Sequence, residues 1–557
     1  MSNTLSVYCT NVGRYVEVAG GENLLSLSER LRDEIPFRAV CARVNNKAEG
    51  LGYRIFGPKQ VEFLGIDSPT SERAYIRSLC MMLYKAVADL LPGVKLRIEH
   101  SISRGYYCLL SGDNIHVTPA LVQSLKSYMT ELVGRDLTFS RHEKLTTDVC
   151  RLFEQQGLQD KVLLLNSLHD LYTVYYTLDD IADYYYSCLV PSTGYLKVFD
   201  LLPYKDGMLL LGFDKLDHEK AATPLKQEKM YGAYKLYLKF NNIIGVRNVG
   251  ELNEKIERGE SRSVINVAEA LHEKRLATIS DDIRRAYDQG GARIVLIAGP
   301  SSSGKTTFTK RLGIQLITNL LSPVMISLDD YFVDRHHTPR DESGDFDYES
   351  LYALDLGLFN EHLNRLLNGE EVELPYYNFS TGQREYRGKR VRLTAGSVLL
   401  IEGIHGLNPE LTALVDDKMK YRIFVSALTT ISLDDHNWVP TTDNRLLRRI
   451  IRDFKYRGIS AVDTIRRWPS VRRGEEKWIF PYQENADSTF NSSLVYELAV
   501  LKHRGEEILS RVPRDVPEYT ESSRLRKFLS YFDEMSEDYL PSTSLLREFL
   551  GGSSFKY

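Results

Sequence analysis

The apolar and polar positions of this chain fall into successive, distinct patterns. Residues 5–9, 15–18, 39–44 and 60–64 alternate apolar and polar side chains between Gly-containing turns, and one amphipathic stretch, 24–35, interrupts them. Alternation with a period of two predicts half-buried strands, so 1–67 reads as a small β-rich domain with one helix. Residues 68–240 mix the two periods. A long helix is predicted over 71–91, started by Ser68-Pro69 and stopped by Pro92-Gly93. Strands follow at 95–99 and 106–110, a helix at 119–133, a Tyr-rich segment at 171–186, and strands at 195–202 and 208–213, an α+β arrangement. Residues 241–290 are polar and helical, end in Gly290-Gly291, and read as a connector. From Arg293 the pattern changes to continuous apolar runs, 294–298, 324–327, 398–401 and 421–425, separated by helical stretches. Such runs predict an α/β domain over 291–511, with a parallel sheet covered by helices on both faces. The tail, 512–557, is polar, with helical candidates at 524–535 and 544–550.

Composition narrows the class. At roughly 100–200 residues per domain, 557 residues accommodate about three to five domains, and a 43% apolar content allows each a core. Lys and Arg number 71 against 75 Asp and Glu, so nucleic acid could be held only by a local basic patch. The six cysteines, Cys9, Cys41, Cys80, Cys108, Cys150 and Cys188, form no CxxC pair, which suits reduced thiols in a cytosolic protein. The start carries no basic segment followed by an apolar one, and runs such as 162–165 and 208–211 are far shorter than the ~18 residues of a membrane helix. The expectation is a soluble, cytoplasmic, multidomain protein with no membrane partner.

The strongest chemical signal follows the first buried run of the α/β domain. Residues 294–298 lead into Gly299-Pro300-Ser301-Ser302-Ser303-Gly304-Lys305-Thr306-Thr307 and then a helical stretch, 308–321. This is the GxxxxGK[ST] phosphate loop in its strand–loop–helix setting. Its glycines let successive backbone N–H groups turn inward toward phosphate oxygens, and the helix N-terminus adds its positive dipole end. Lys305 would bridge the β- and γ-phosphates of ATP, and the Thr306 hydroxyl would ligate Mg²⁺.

Further segments restrict the chemistry. Residues 324–332 run from a strand into Asp329-Asp330-Tyr331-Phe332, where a carboxylate beside the loop can take a proton from an attacking hydroxyl; solvated turn aspartates are the plain alternative. Residues 398–403 end an apolar strand in Glu402-Gly403, the place for a carboxylate that holds Mg²⁺. Arg445, Arg448, Arg449 and Arg452 fall on one helical face, able to close over a triphosphate or simply to be solvated.

Taken in order, GPSSSGKTT, SLDDYF, GDFDYES, LPYYNFSTGQRE, LLIEGI, DNRLLRRIIRDFKYRG and Ala486-Asp487 make residues 293–505 resemble the uridine kinase/phosphoribulokinase group, most of all uridine–cytidine kinases. The resemblance implies an ATP- and Mg²⁺-dependent kinase acting on a nucleoside 5′-hydroxyl. It implies that Asp329 is the general base, that Asp347 bonds the ribose hydroxyls, that Tyr377 touches the base, that Arg384 lies near the sugar, and that Arg445, Arg448 and Arg449 form a phosphate lid. One position departs: five residues after the base-contacting tyrosine the family has a histidine, and here stands Gly382. Loss of a polar contact weakens substrate discrimination, and His336 and His337 lie nearby in sequence.

The first 240 residues resemble the N-terminal region of threonyl-tRNA synthetase, a TGS domain of β-grasp type joined to an editing domain. The matching segments are 76–83, 91–95, 103–107 and 183–191. Where the editing chemistry uses three histidines and a cysteine, this chain has Ser78, Met82, Tyr185 and Leu189. None binds a metal or relays a proton as imidazole or thiolate does, so the implied fold lacks hydrolytic activity; Cys80 and Cys188 read as buried structural thiols. Arg104-Gly105-Tyr106-Tyr107 is compatible with stacking on RNA, and a half-buried strand accounts for it equally well, which leaves RNA the less favoured partner. Two further readings stand beside the nucleoside kinase: a kinase for another hydroxylated metabolite such as a sugar or sugar phosphate, and an RNA-responsive regulator gated by nucleotide. Homo-oligomerisation is open.

Overall fold

The computed structural model describes residues 4–341 and 344–556. The period-two segments at the front form a five-stranded mixed sheet in which Thr4–Cys9 and Gln60–Leu64 are parallel neighbours and the other pairs are antiparallel. The helix Leu24–Arg30 packs on it, capped by the Asn23 side chain, which accepts from the Ser26 N–H at 2.8 Å. The next helix, Pro69–Leu90, starts at the Ser68 cap and is buried on every face from residue 74 to 87. Around it lie a four-stranded and a three-stranded antiparallel sheet.

In the α/β region five parallel strands run in the order Ser322–Ser327, Ser397–Glu402, Ile294–Ala298, Lys420–Ser426, Ser488–Asn491. Alternate residues of each central strand enter different cores. Val295, Ile297, Val398, Leu400, Ile423 and Val425 pack in one, while Ile294, Leu296, Leu399 and Ile401 pack in the other. This is why the strands read as unbroken apolar runs. Ile294–Ala298 is central: the chain passes from it to Ser322–Ser327 on one side and crosses from Ser397–Glu402 to Lys420–Ser426 on the other, so the strand ends here form the switch point where open α/β sheets bind ligands.

Two stretches differ from their sequence pattern. Residues 241–290 are not a free connector: Val249–Glu257 and Ser261–Asp288 are helices, and Ile265, His272, Leu276, Ile279 and Ile283 are buried. The polar tail is likewise part of the body. It carries the helices Tyr519–Leu529 and Arg547–Leu550, and Leu525, Phe528, Tyr531, Leu545, Leu546 and Phe549 are buried.

The front half and the α/β region are tied together by a hairpin, Ser432–Asp434 with Asn437–Trp438. Ile98 donates its N–H to the Asp435 carbonyl at 2.7 Å, and Asn437 Nδ2 donates to the Tyr184 carbonyl at 2.8 Å. Beneath them a fully buried ion cluster joins Lys161 to Asp183 and Asp434, each at 2.8 Å, with His436 Nδ1 2.8 Å from Asp183. The hairpin leads straight into the helix Thr441–Arg452, so this junction fixes where that helix begins.

Candidate active site

The loop follows its strand under tight constraint. A Cβ on Gly299 would lie 2.0 Å from the Val425 carbonyl oxygen, so the backbone passes where only glycine fits. Gly304 adopts φ +83° and starts the helix Lys305–Thr318. Lys305 Nζ folds back on the loop and donates to the Pro300 carbonyl at 3.2 Å, and burial lowers its pKa. Glu402 ends the neighbouring strand, and its Oε1 accepts from the Thr306 and Ser327 hydroxyls, each at 3.3 Å. Burial, and next the negative charge of Asp329, push the Glu402 carboxyl up to about 7.

Of the two adjacent aspartates, Asp330 is turned away from the loop: its Oδ1 accepts from the Tyr377 N–H at 3.3 Å, and burial raises its pKa. Asp329 faces the charges of Lys305 and Glu402. Thus Lys305, Thr306, Asp329 and Glu402 are gathered at one strand end. The Glu402 carboxylate and the Thr306 hydroxyl, in the negative field of Asp329, are oxygen donors of the kind a hard divalent cation takes, so these residues fit Mg²⁺.

The four arginines do share one face of Thr441–Arg452, but they divide into two pairs. Arg445 and Arg448 are fully buried and ion-paired, Arg445 with Glu475 and Arg448 with Glu497. Arg445 Nε also donates to the Ser301 carbonyl at 3.0 Å, and Arg448 Nη1 to the Ser302 carbonyl at 3.3 Å. They brace the loop from behind instead of forming an open lid, because both are fully buried with their guanidinium groups bonded to the loop's own carbonyls. Arg449 Nη1 reaches the Ser301 hydroxyl at 2.9 Å, and Arg452 lies 3.7 Å from Asp453, its pKa lowered to about 10 chiefly by burial.

On the acceptor side, Tyr377 is buried against Phe332 and Phe379, with ring centroids 5.5 and 5.0 Å away. Asp347 is half-buried and its Oδ1 accepts from the Glu349 N–H at 3.1 Å. Arg384 is engaged in the scaffold: it pairs with Asp355 at 3.0 Å and donates to the Phe332 carbonyl at 3.2 Å. Gly382 has φ +73°, and a Cβ there would lie 2.7 Å from Arg335 Nε. The Arg335 side chain therefore fills the space beside residue 382, held by a 2.6 Å bond from Nη2 to the Phe379 carbonyl. His336 and His337 are exposed and stand with Asp334, their ligand atoms within 4.8 Å of one another.

Sequence reasoning missed Glu349, Glu475 and Glu497. Glu475 accepts from the Ser301 N–H at 3.2 Å, and Glu349 Oε2 is buried without a hydrogen bond, its carboxyl pushed up to about 7 by burial and then by Glu475. No spacing rule marks such carboxylates, since their partners lie far away in the chain. In the front half, Ser78, Met82, Tyr185 and Leu189 are brought into one buried core, where Ser78 Oγ accepts from the Val190 N–H at 2.9 Å. All six cysteines are buried and unpaired. Among the described residues no helix is long and apolar enough to cross a membrane.

Residues 294–498 match the family described as "Phosphoribulokinase / Uridine kinase family". Uridine kinases of Staphylococcus aureus strains JH9 and Newman are 32% identical over 197 residues, which is 35% of this chain and 84% of theirs. Among solved structures, a putative fructose transport system kinase from Silicibacter sp. TM1040 is 18% identical (TM-score 0.29), covering 39% of this chain and 98% of its own. A possible uridine kinase from Bacillus stearothermophilus is 19% identical (TM-score 0.25), covering 36% and 89%.

Proposed function

We propose that this chain, which belongs to the phosphoribulokinase/uridine kinase family and is a phosphotransferase acting on a hydroxyl group, transfers the γ-phosphoryl group of ATP to the 5′-hydroxyl of a nucleoside. The single observation that carries the reading is the meeting of Lys305, Thr306, Asp329 and Glu402 at the end of the central strands. Lys305 and Arg449 neutralise the phosphate oxygens, the charge that grows during transfer. Asp329 holds the acceptor hydroxyl and takes its proton as the oxygen attacks phosphorus. Thr306 and Glu402 would hold Mg²⁺, which when bound neutralises phosphate charge. Asp347 and Tyr377 bind the ribose and the base, and Arg384 acts by positioning the loop that carries Asp334. Arg445 and Arg448 act by shaping the loop.

A second reading, a sugar or sugar phosphate acceptor, is favoured by the guanidinium of Arg335 standing where a neutral base would be read. A fixed cation selects an anionic or strongly accepting group. An ADP-release screen of the full chain with Mg·ATP against nucleosides, sugars and sugar phosphates separates the two. Turnover with a nucleoside supports the first; turnover confined to sugar phosphates replaces it with the second.

A further inference from the structure

The C-terminal segment lies across the mouth of the phosphate loop, and nothing in the kinase reading uses it. Leu545 and Phe549 anchor it: a Cβ on Gly304 would stand 2.5 Å from Leu545 Cδ2, and the Phe549 ring lies 5.1 Å from the Arg448 guanidinium carbon. Arg547 Nη2 donates to the carbonyls of Glu537 and Leu540 at 3.0 and 2.9 Å, and Lys455 donates to the Leu550 carbonyl. Beyond the short helix, Gly551 and Gly552, with φ +87° and +72°, turn the chain so that Lys310 reaches the Lys556 carbonyl.

The decisive contact is made by Glu548. Its Oε2 accepts from the Thr307 N–H at 3.2 Å and from the Thr307 hydroxyl at 2.6 Å. Thr307 lies in the first turn of the loop helix, where backbone N–H groups have no helical partner and the dipole attracts anions. That turn is the phosphate seat of a loop of this type. A carboxylate there has the sign of charge and the acceptor geometry of a phosphate oxygen. It also adds to the negative field around Glu402. Leu545, Phe549, the Arg547 guanidinium and the Leu550 carbonyl anchor the segment without Glu548, so the carboxylate can leave Thr307 by side-chain rotation with the segment still docked.

We propose that Glu548 is a built-in competitor for the phosphate seat, which nucleotide must displace before it binds. The proposal rests on the reading of 299–307 as the nucleotide loop. The competitor lowers apparent affinity by the fraction of molecules in which the seat is open. It leaves the acceptor side untouched, so its effect belongs to nucleotide affinity and to the apparent KM for ATP.

The test is calorimetric titration of Mg·ADP into the full chain, as wild type, Glu548→Gln, Glu548→Asp and Lys305→Ala. Glu548→Gln keeps the shape and removes the charge, and Glu548→Asp shortens the reach. Both should bind roughly tenfold to a hundredfold more tightly, the equivalent of one or two charge-assisted hydrogen bonds. Unchanged or weaker binding by Glu548→Gln, in protein whose binding is abolished by Lys305→Ala, overturns the competitor and leaves the loop reading standing. Absence of binding by every variant, or binding indifferent to Lys305→Ala, overturns the loop reading and the competitor with it.

Discussion

Replacing Glu402 by Gln separates the cost of the cation site from its use. The carboxyl is pushed from an ordinary 4.5 to about 7 by burial and by Asp329. Each pKa unit is about 1.4 kcal/mol, so keeping Glu402 ionised in the protein without bound cation costs about 3 kcal/mol. The sign follows from linkage: the folded-state value lies above the unfolded one, so the unfolded chain sheds its proton first. Stability is greatest below about 4.5 and falls as pH rises through about 7. Gln retains an oxygen that can accept from Thr306 and Ser327. Glu402→Gln should therefore stabilise the cation-free protein by about 3 kcal/mol at pH 8 and by about 1 kcal/mol at pH 5.5. For a domain of this size that is roughly 2–4 °C in thermal midpoint per kcal/mol. The same variant should lose Mg²⁺-dependent turnover, a gain in stability at the expense of activity. Thermal unfolding at the two pH values, without nucleotide, measures the first part. A midpoint no higher than wild type at pH 8, or an equal rise at both pH values, would show that the buried Glu402 charge carries no such cost.

Two other substitutions probe the site from different sides. Arg448→Ala leaves Glu497 buried without its cation and should cost about 3–5 kcal/mol in urea unfolding; a loss below about 1 kcal/mol would mean that the pair does not brace the loop. Asp329→Asn should lower turnover by about 10²–10⁴-fold with nucleotide affinity largely kept, as removal of a general base does, and near-normal turnover would move the base to another residue.

Much of the α/β region can be read without coordinates because its strands are buried on both faces, and the loop is marked by glycines whose positions the backbone demands. Gly299 shows the reason, since the Val425 carbonyl leaves no room for a side chain. What helical spacing could not reveal is burial. It places four arginines on one face, yet Arg445 and Arg448 are neutralised by Glu475 and Glu497. Their separations, 30 and 49 residues, leave no local trace. The choice between Asp329 and Asp330 also depends on a distant partner, the Tyr377 N–H. Arg335 beside Gly382 is a third such case, a gap in the sequence filled across 47 positions of chain. The tail was obscured differently. Its many charged side chains outweigh Leu545, Leu546, Phe549 and Leu550 in composition, although those four are buried. In the front half, the strands of the first sheet follow their alternation, whereas the core around Ser78 and Tyr185 is assembled from segments more than a hundred residues apart.

On the proposed function, this site moves a phosphoryl group from ATP to a hydroxyl on a nucleoside. Its most direct test is identification of the product by phosphorus NMR and mass spectrometry after incubating the full chain with Mg·ATP and a nucleoside mixture. A nucleoside 5′-monophosphate is expected, formed in equal amount with ADP and absent with Asp329→Asn. ADP released with inorganic phosphate alone, or phosphate found only on a sugar or sugar phosphate supplied in parallel, would contradict it.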